Sequence, residues 1–161
     1  MPGMSASPLR VLLAVDGSDY SDSVVGAATH LFGEGATHFI VLSVVERPAG
    51  PGTEPGMEGE IVKAERERLE SLHAHLVQAH FGGMENIQSM VMDGRAAQTI
   101  CAQAESLAVD VIVMGSRGRG KLESALLGSV SEDVIHGTNV PVVIVKARSR
   151  LPPSNQHDAA T

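Results

Sequence analysis

The sequence predicts an α/β fold: a single doubly wound parallel sheet of five strands with helices on both faces. Three observations lead to it. Short aliphatic runs rich in β-branched residues alternate with segments of helical periodicity, no internal repeat or domain break interrupts this alternation, and a chain of 161 residues suits one domain. Because only 2% of the residues are aromatic, we expect aliphatic side chains and methionine to supply the core.

The first βα unit is predicted from residue 9 to residue 32. Its strand covers residues 9–15 and ends at a turn, where Ser18 is expected to cap the following helix. The apolar residues of that helix that recur at helical spacing are Val24, Val25, Ala28, Leu31 and Phe32. We expect these residues to face the core.

The second strand is predicted over residues 37–45, and a long loop follows it over residues 46–59. Prolines and glycines interleave throughout this loop, so no regular element is expected there. Two interpretations stay open, a lid over a site or a segment without regular structure.

A helix is predicted over residues 60–81, and it carries His73, His75 and His80. A metal site is one interpretation of these histidines. None of the pairs, however, has the i,i+4 spacing that places two imidazoles on one helical face. The preferred interpretation is a solvated face of the helix.

The third unit consists of a strand over residues 86–92 and a helix over residues 96–107. Cys101 lies on this helix and is interpreted as a buried structural thiol rather than a nucleophile. Arg95 precedes the helix at the end of the sheet where a ligand would bind. It is either an exposed cation at the helix start or a contact to phosphate.

The last two strands are predicted over residues 109–114 and 140–145, with a helix between them. Ser129 and Glu132 fit a capping box, in which Ser129 is the N-cap, and Gly137 ends the helix. The residues of this helix expected to face inward are Val130, Val134 and Ile135.

The folded domain is expected to cover residues 9–146, with disordered ends over residues 1–8 and 147–161. A net charge of −7 and the scarcity of aromatic residues argue against nucleic-acid binding. No apolar run approaches the roughly 18 residues of a membrane span. With a single cysteine the chain forms no internal disulfide, so we expect a cytoplasmic protein.

The fourth predicted strand ends at a segment in which glycines and cations alternate. These residues are Gly115, Arg117, Gly118, Arg119, Gly120 and Lys121. Glycines let the main chain approach an anion closely, the cations attract it, and the next helix begins a few residues later with its positive end. The segment is therefore a candidate phosphate loop.

Three phosphate-loop patterns can be compared with this segment. The dinucleotide fingerprint fails because Glu123 stands where its third glycine belongs, and the Walker A pattern fails because Leu122 has no hydroxyl for Mg²⁺. The third pattern is two glycines separated by two residues, then nine residues, then glycine and serine. It is met by Gly115, Gly118 and the pair Gly128-Ser129.

The first strand-to-helix junction has the opposite charge, because it contains Asp16, Asp19 and Asp22. Phosphate is repelled there, whereas a carboxylate accepts hydrogen bonds from a sugar hydroxyl or an amino group. Asp16 is thus a candidate for a nucleoside contact, or it only starts the Asp-Gly turn.

The chain resembles the universal stress protein family, and specifically its ATP-binding subgroup, over about residues 9–146. The segments that carry the resemblance are Val11-Leu12-Leu13-Ala14-Val15-Asp16-Gly17-Ser18, Val113-Met114-Gly115-Ser116-Arg117-Gly118, Leu127-Gly128-Ser129-Val130 and Val140-Pro141-Val142-Val143-Ile144-Val145-Lys146. The resemblance implies a Rossmann-like sheet ordered 3-2-1-4-5, ATP in the crevice, and a homodimer through the last strand. The residues of that strand are Val142, Val143, Ile144 and Val145.

The resemblance also implies roles for individual residues. Asp16 corresponds to the acidic residue near the nucleoside, and Val44 to the residue of the second strand that lines the adenine. The residues that match the phosphate contacts are Gly115, Gly118, Gly128 and Ser129, and those that flank them in the same motif are Met114, Arg117, Arg119 and Val130.

The function expected from these observations is a nucleotide-responsive stress or signalling module that binds ATP, with Mg²⁺, and hydrolyses it little or not at all. No ligand set for the metal is identified, and the downstream protein partner is not specified by the sequence. Two alternatives stay open. One is a slow ATPase or an adenylate-transferring enzyme, and the other is an interaction module that binds no nucleotide.

Overall fold

A computed structural model of the protein describes residues 7–33, 37–47, 57–118 and 127–146. Residues 1–6 and 147–161 of the predicted ends, and residues 48–56 of the predicted loop over residues 46–59, lie outside these ranges. Residues 57–59 are the first residues of a helix, so the expectation of no regular element is wrong for that part of the loop. In chain order the elements are β1 (Leu9–Ala14), α1 (Ser21–Phe32), β2 (Thr37–Val45), α2 (Met57–Phe81), β3 (Ile87–Asp93), α3 (Ala96–Ser106), β4 (Val111–Gly115), α4 (Ser129–Gly137) and β5 (Val142–Val145).

The strands form one parallel sheet in the order β3-β2-β1-β4-β5, so the predicted fold class and strand order are confirmed. In its register, Ala14 at the end of β1 pairs with Leu42 of β2 and with Met114 of β4. β2 and β3 are added on the far side of β1, and β5 is added on the far side of β4, so the direction in which strands are added reverses between β1 and β4. Ligands bind parallel sheets at such a switch point, beyond the carboxyl ends of the strands.

The core has two halves, one on each face of the sheet, because successive residues of a strand point to opposite sides. Leu13 of β1 belongs to the half that α1 and α2 cover, whereas Leu12 belongs to the half that α3 and α4 cover. Both side chains are fully buried. Burying a side chain of this size contributes roughly 1.5–3 kcal/mol.

The start of α1 differs from the prediction. The helix begins at Ser21, its N-cap is Tyr20, and no side chain caps it, so Ser18 is not the N-cap. The loop before the helix uses the serine hydroxyls instead: Ser18 Oγ accepts from the Tyr20 N–H at 3.4 Å and Ser21 Oγ from the Gly17 N–H at 3.1 Å. At the other end of the helix, Leu31 is 57% exposed rather than buried.

The start of α4 also differs from the prediction. Gly128 is the N-cap, with an extended backbone, and Ser129 is the first residue of the helix. The predicted capping box is therefore wrong, since Glu132 donates its N–H to the Gly128 carbonyl as the first regular helical bond. Ile135 is 40% exposed, whereas Val134 is fully buried as expected.

The prediction that the histidines of this helix lie on a solvated face is wrong for His73, which is only 1% exposed. It lies one turn from both Leu69 and Leu76, on the buried stripe of α2. Its ring nitrogens lie 2.7 Å from Ser43 Oγ and 2.7 Å from Ser89 Oγ. His75 is exposed, and His80 Nε2 lies 2.7 Å from a carboxylate oxygen of Asp22.

The hydrogen bonds around His73 determine its tautomer. Ser43 Oγ donates its only proton to the Val15 carbonyl at 2.6 Å, so it can only accept from His73 Nε2. His73 Nδ1 then accepts from the Ser89 hydroxyl. Burial lowers the pKa of His73 to about 4, which keeps the ring neutral.

No helix in the described part of the chain is long and apolar enough to cross a membrane.

His73 should make folding stability depend on pH in the acid range. Its pKa is about 6.5 in the unfolded chain and about 4 in the folded protein. Between these values the unfolded state binds more protons, so stability is lost as the pH falls, by about 2 to 3 kcal/mol between pH 7 and pH 4.5. Urea denaturation at several pH values measures this loss.

The variant His73→Gln should be less stable at pH 7 and should lose less stability on acidification. The exposed His75→Gln variant serves as the control and should behave as the wild type does. An acid-induced loss of the same size in His73→Gln and in the wild type would contradict the assignment.

Candidate functional site

A cavity of about 370 Å³ opens at the carboxyl edge of the sheet, where β1 and β4 lie side by side. This volume falls within the roughly 300–1,000 Å³ of small-molecule sites. Its floor is apolar and formed by the ends of the central strands and the start of α3, through Ala14, Leu42, Ala96, Ile100 and Met114. Its rim is polar.

The cavity brings together all the predicted site residues that the structure describes. These are Asp16, Val44, Met114, Gly115, Arg117, Gly118, Gly128, Ser129 and Val130. Arg119 lies outside the described residues. Of the predicted acidic junction only Asp16 lines the cavity, because Asp22 turns away to pair with His80.

Asp16 and Gly118 lie directly against each other. A Cβ atom placed on Gly118 would overlap Asp16 Oδ2, so this position accepts only glycine while Asp16 keeps its conformation. Asp16 Oδ1 accepts the Ser18 N–H at 2.9 Å, which holds the carboxylate in place. The acidic junction after β1 and the glycine segment after β4 are therefore in contact.

Hydrogen bonds join the end of β4 to the start of α4. Gly128 N–H donates to the Ser116 carbonyl at 2.7 Å, and Ser131 Oγ donates to the Gly115 carbonyl at 2.8 Å. Ser116 is in turn tied to β5, since its N–H donates to the Val145 carbonyl at 2.9 Å. The two ends of the nine-residue spacer thus lie together, with Gly118 and Gly128 on the same side of the cavity.

In the other two helices that start at this edge, the first N–H group has an acceptor within the protein. The Ser21 N–H of α1 donates to the Ser18 carbonyl at 3.1 Å. At the start of α3, the Ala96 N–H donates to Glu46 Oε1 at 2.7 Å. The first residues of α1 and α3, both of which line the cavity, therefore offer no free N–H group to a ligand.

The start of α4 is open by comparison. Like α1 and α3 it has no side-chain cap, but within the described residues no acceptor is found for the N–H groups of Ser129, Val130 and Ser131, all of which line the cavity. These groups border the cavity beside the half-buried Arg117. A helix N-terminus with free N–H groups and a neighbouring guanidinium is suited to bind an anion.

Carboxylates occupy the rest of the rim. Glu46 and Glu65 line the cavity together with Asp16. Glu65 is also bound to Arg68, with a shortest distance of 3.0 Å. The cavity therefore has one corner suited to anions, at Arg117 and α4, and an acidic rim elsewhere.

Several of these lining residues were not among the sequence predictions. Glu46 lies two residues after Val44, and an extended chain directs both side chains to the same face of the sheet. That spacing is the signal that could have identified Glu46. For Tyr20 and Ala96 no comparable local signal exists.

Two other candidates lie elsewhere. Arg95 is exposed at the N-cap of α3 and is absent from the cavity lining. Cys101 is partly rather than fully buried; its Sγ lies 3.9 Å from the Val134 carbonyl, and burial raises the pKa of the thiol. In the described ranges no three His, Cys, Asp or Glu residues are grouped so as to hold a metal ion.

The chain is similar to known universal stress proteins in both sequence and fold. The universal stress protein in the QAH/OAS sulfhydrylase 3′ region of Thermus aquaticus is 31% identical over 136 residues, which are 84% of this chain and 97% of that protein. The structure of MJ0577 from Methanocaldococcus jannaschii superposes with a TM-score of 0.77 at 25% identity, covering 88% of this chain and 97% of the other.

Two more distant structures share the fold and contain nucleotides. A universal stress protein family protein of Arabidopsis thaliana with AMP bound has a TM-score of 0.61 at 19% identity, covering 92% of this chain and 97% of its own. A universal stress protein in complex with cAMP has a TM-score of 0.61 at 21% identity, covering 87% and 98%.

The match to the family as a whole extends over nearly the entire described part of the chain. Residues 9–146 match the family model described as the universal stress protein family. They include every strand of the sheet and all the described residues that line the cavity. The chain therefore belongs to the universal stress protein family.

Proposed function

We propose that this protein binds ATP in the cavity between β1 and β4 and acts as a nucleotide-responsive homodimeric module. The observation that carries the proposal is the open N-terminus of α4, which borders the cavity beside Arg117. At the same edge, the first N–H groups of α1 and α3 are already bonded within the protein. We therefore expect the triphosphate to bind at the start of α4, beside Arg117.

The phosphates bind where the main chain is free to approach them. The N–H groups of Ser129 and Val130 donate to phosphate oxygens, and the Arg117 guanidinium supplies the countercharge. Gly115, Gly118 and Gly128 allow close approach, and Arg119 adds a second cation. Mg²⁺ accompanies the ATP through the phosphate oxygens.

The nucleoside lies toward the apolar floor of the cavity. Val44, Ala96 and Ile100 provide a surface for the flat face of a base. The Asp16 carboxylate, held by the Ser18 N–H, accepts a hydrogen bond from a ribose hydroxyl. Support also comes from the AMP and cAMP bound by the Arabidopsis protein and by the second nucleotide-bound universal stress protein.

The carboxylates of the cavity favour binding over hydrolysis. Hydrolysis needs a group that positions the attacking water. Asp16 accepts from the Ser18 N–H, Glu46 from the Ala96 N–H, and Glu65 is paired with Arg68. Asp16 is assigned to the ribose, and Glu46 and Glu65 belong to the acidic rim rather than to the phosphate corner. No described carboxylate is therefore assigned to the attacking water, and we infer little or no turnover.

A bound triphosphate contacts both sides of the anion corner, Gly118 and the start of α4. ATP therefore changes the surface that these described residues present, which gives a protein partner a way to distinguish the free state from the bound state.

We also propose that the protein is cytoplasmic, where its cysteine stays reduced.

Replacing Arg117 by glutamine should weaken ATP binding about tenfold, which corresponds to roughly 1.4 kcal/mol, because one charge-assisted contact to phosphate is lost. Adenosine, which has no phosphate, should bind the variant and the wild type equally. Isothermal titration calorimetry measures both affinities.

The matched control for this experiment is Arg95→Gln, which removes the same charge from the exposed start of α3, outside the cavity lining. This variant should bind ATP as the wild type does. The phosphate corner would be wrongly assigned if Arg95→Gln weakened ATP binding and Arg117→Gln did not.

The proposed dimer forms through the open edge of β5. The carbonyls of Pro141 and Val145 accept hydrogen bonds from the N–H groups of Ile112 and Ser116. Because successive residues of a parallel strand bond alternately toward one neighbour and the other, the backbone groups of Val142 and Ile144 point away from β4. Ile144→Pro removes one outward donor without breaking a bond to β4, and it should shift the protein from dimer to monomer.

Sedimentation at micromolar concentration should give twice the chain mass of 16.8 kDa for the wild type and for the conservative variant Ile144→Val. Thermal melting checks that Ile144→Pro stays folded. A monomeric wild type would rule out the dimer.

A further inference from the structure

We propose that Glu46 determines which base the site accepts, by taking a hydrogen bond from an exocyclic amino group such as that of adenine. The site then prefers a 6-amino purine nucleotide over a 6-oxo one. This inference rests on the proposed nucleotide binding, and it assigns a specificity-determining role to a residue for which the sequence suggested none.

The polarity of the cavity determines the orientation of the ligand. Phosphate is attracted to Arg117 and the open start of α4, and it is repelled by the carboxylates on the rest of the rim. The nucleotide therefore lies with its base away from α4, against the apolar residues Val44, Ala96 and Ile100. Glu46 lines the same end of the cavity.

The position of Glu46 is set by the end of β2. Val44 is the penultimate residue of that strand, and Glu46 follows the strand directly, on the same face as Val44. Its Oε1 accepts the Ala96 N–H at 2.7 Å, across the cavity floor from β2 to α3. This bond holds the carboxylate between the two elements that support the base.

The second carboxylate oxygen is the atom left to meet a ligand. Among the described residues, the recorded hydrogen bond of Glu46 uses Oε1 alone. An ionised carboxylate only accepts hydrogen bonds, so Oε2 matches the N–H of an amino group. A carbonyl oxygen in the same place would face another acceptor, and such a mismatch lowers affinity strongly.

The variant Glu46→Gln tests this assignment because the fold dictates how its amide is oriented. The Ala96 N–H still requires an acceptor, so the amide oxygen takes the place of Oε1. The amide nitrogen, a donor, is then left at the place of Oε2. The variant should therefore lose its preference for an amino group and favour an oxo group.

The experiment measures the affinities of ATP and inosine triphosphate, which differ at position 6 of the purine, by calorimetry with Mg²⁺ present. The wild type should bind ATP at least about tenfold more tightly than inosine triphosphate, and Glu46→Gln should reduce this ratio about tenfold. The melting temperature without nucleotide should hardly change, since the contact to α3 is kept.

The matched control is Glu105→Gln, which removes the same charge from an exposed position of α3 that does not line the cavity. Its ratio should equal that of the wild type. The inference is overturned if the wild type binds both nucleotides equally, or if the ratio is unchanged in Glu46→Gln, while ATP binding itself stands. Absence of binding by either nucleotide overturns the proposed function and this inference with it.

Discussion

The candidate site depends on the hydrogen bonds that hold the start of α4 against the end of β4. Gly128 donates to the Ser116 carbonyl and Ser131 to the Gly115 carbonyl, so a helix N-terminus is fixed at the mouth of the cavity. The pairing of β1 with β4 places Asp16 against Gly118, which follows β4. The strand pairing and these hydrogen bonds together bring the anion corner and the acidic rim into one cavity.

The open start of α4 is a local disadvantage that a ligand can compensate. Gly128 occupies the N-cap position without a side-chain acceptor, which costs about a few tenths of a kcal/mol relative to Ser, Thr, Asn or Asp. In α1 and α3, by contrast, the first N–H groups are bonded to the Ser18 carbonyl and to the Glu46 carboxylate. Because only the start of α4 offers several free N–H groups to the cavity among the described residues, we expect an anion to bind there and the nucleoside to bind along the acidic rim.

Much of the fold could be predicted from local patterns, because aliphatic strands, helical periodicity and the spacing of Gly115, Gly118 and Gly128 are properties of neighbouring residues. The buried His73 was missed although Leu69 and Leu76 share its stripe, since its partners Ser43 and Ser89 come from two strands distant in sequence. The predicted helix caps were wrong because Ser18 and Ser21 bond N–H groups of the loop before α1, and because Gly128 rather than Ser129 is the N-cap of α4. The i,i+2 spacing after Val44 could have placed Glu46 at the site, but its bond to the Ala96 N–H of α3 depends on how β2 and α3 are arranged in the fold.

The central claim is that phosphate binds the free N–H groups at the start of α4. The most direct measurement is the change in amide ¹⁵N and ¹H chemical shifts on adding ATP and, separately, adenosine. With ATP, we expect large chemical-shift changes at the amides of Ser129, Val130 and Ser131, and with adenosine we expect none there. Equal shifts with both ligands, or ATP-specific shifts at Ala96 and none at these three residues, would contradict it.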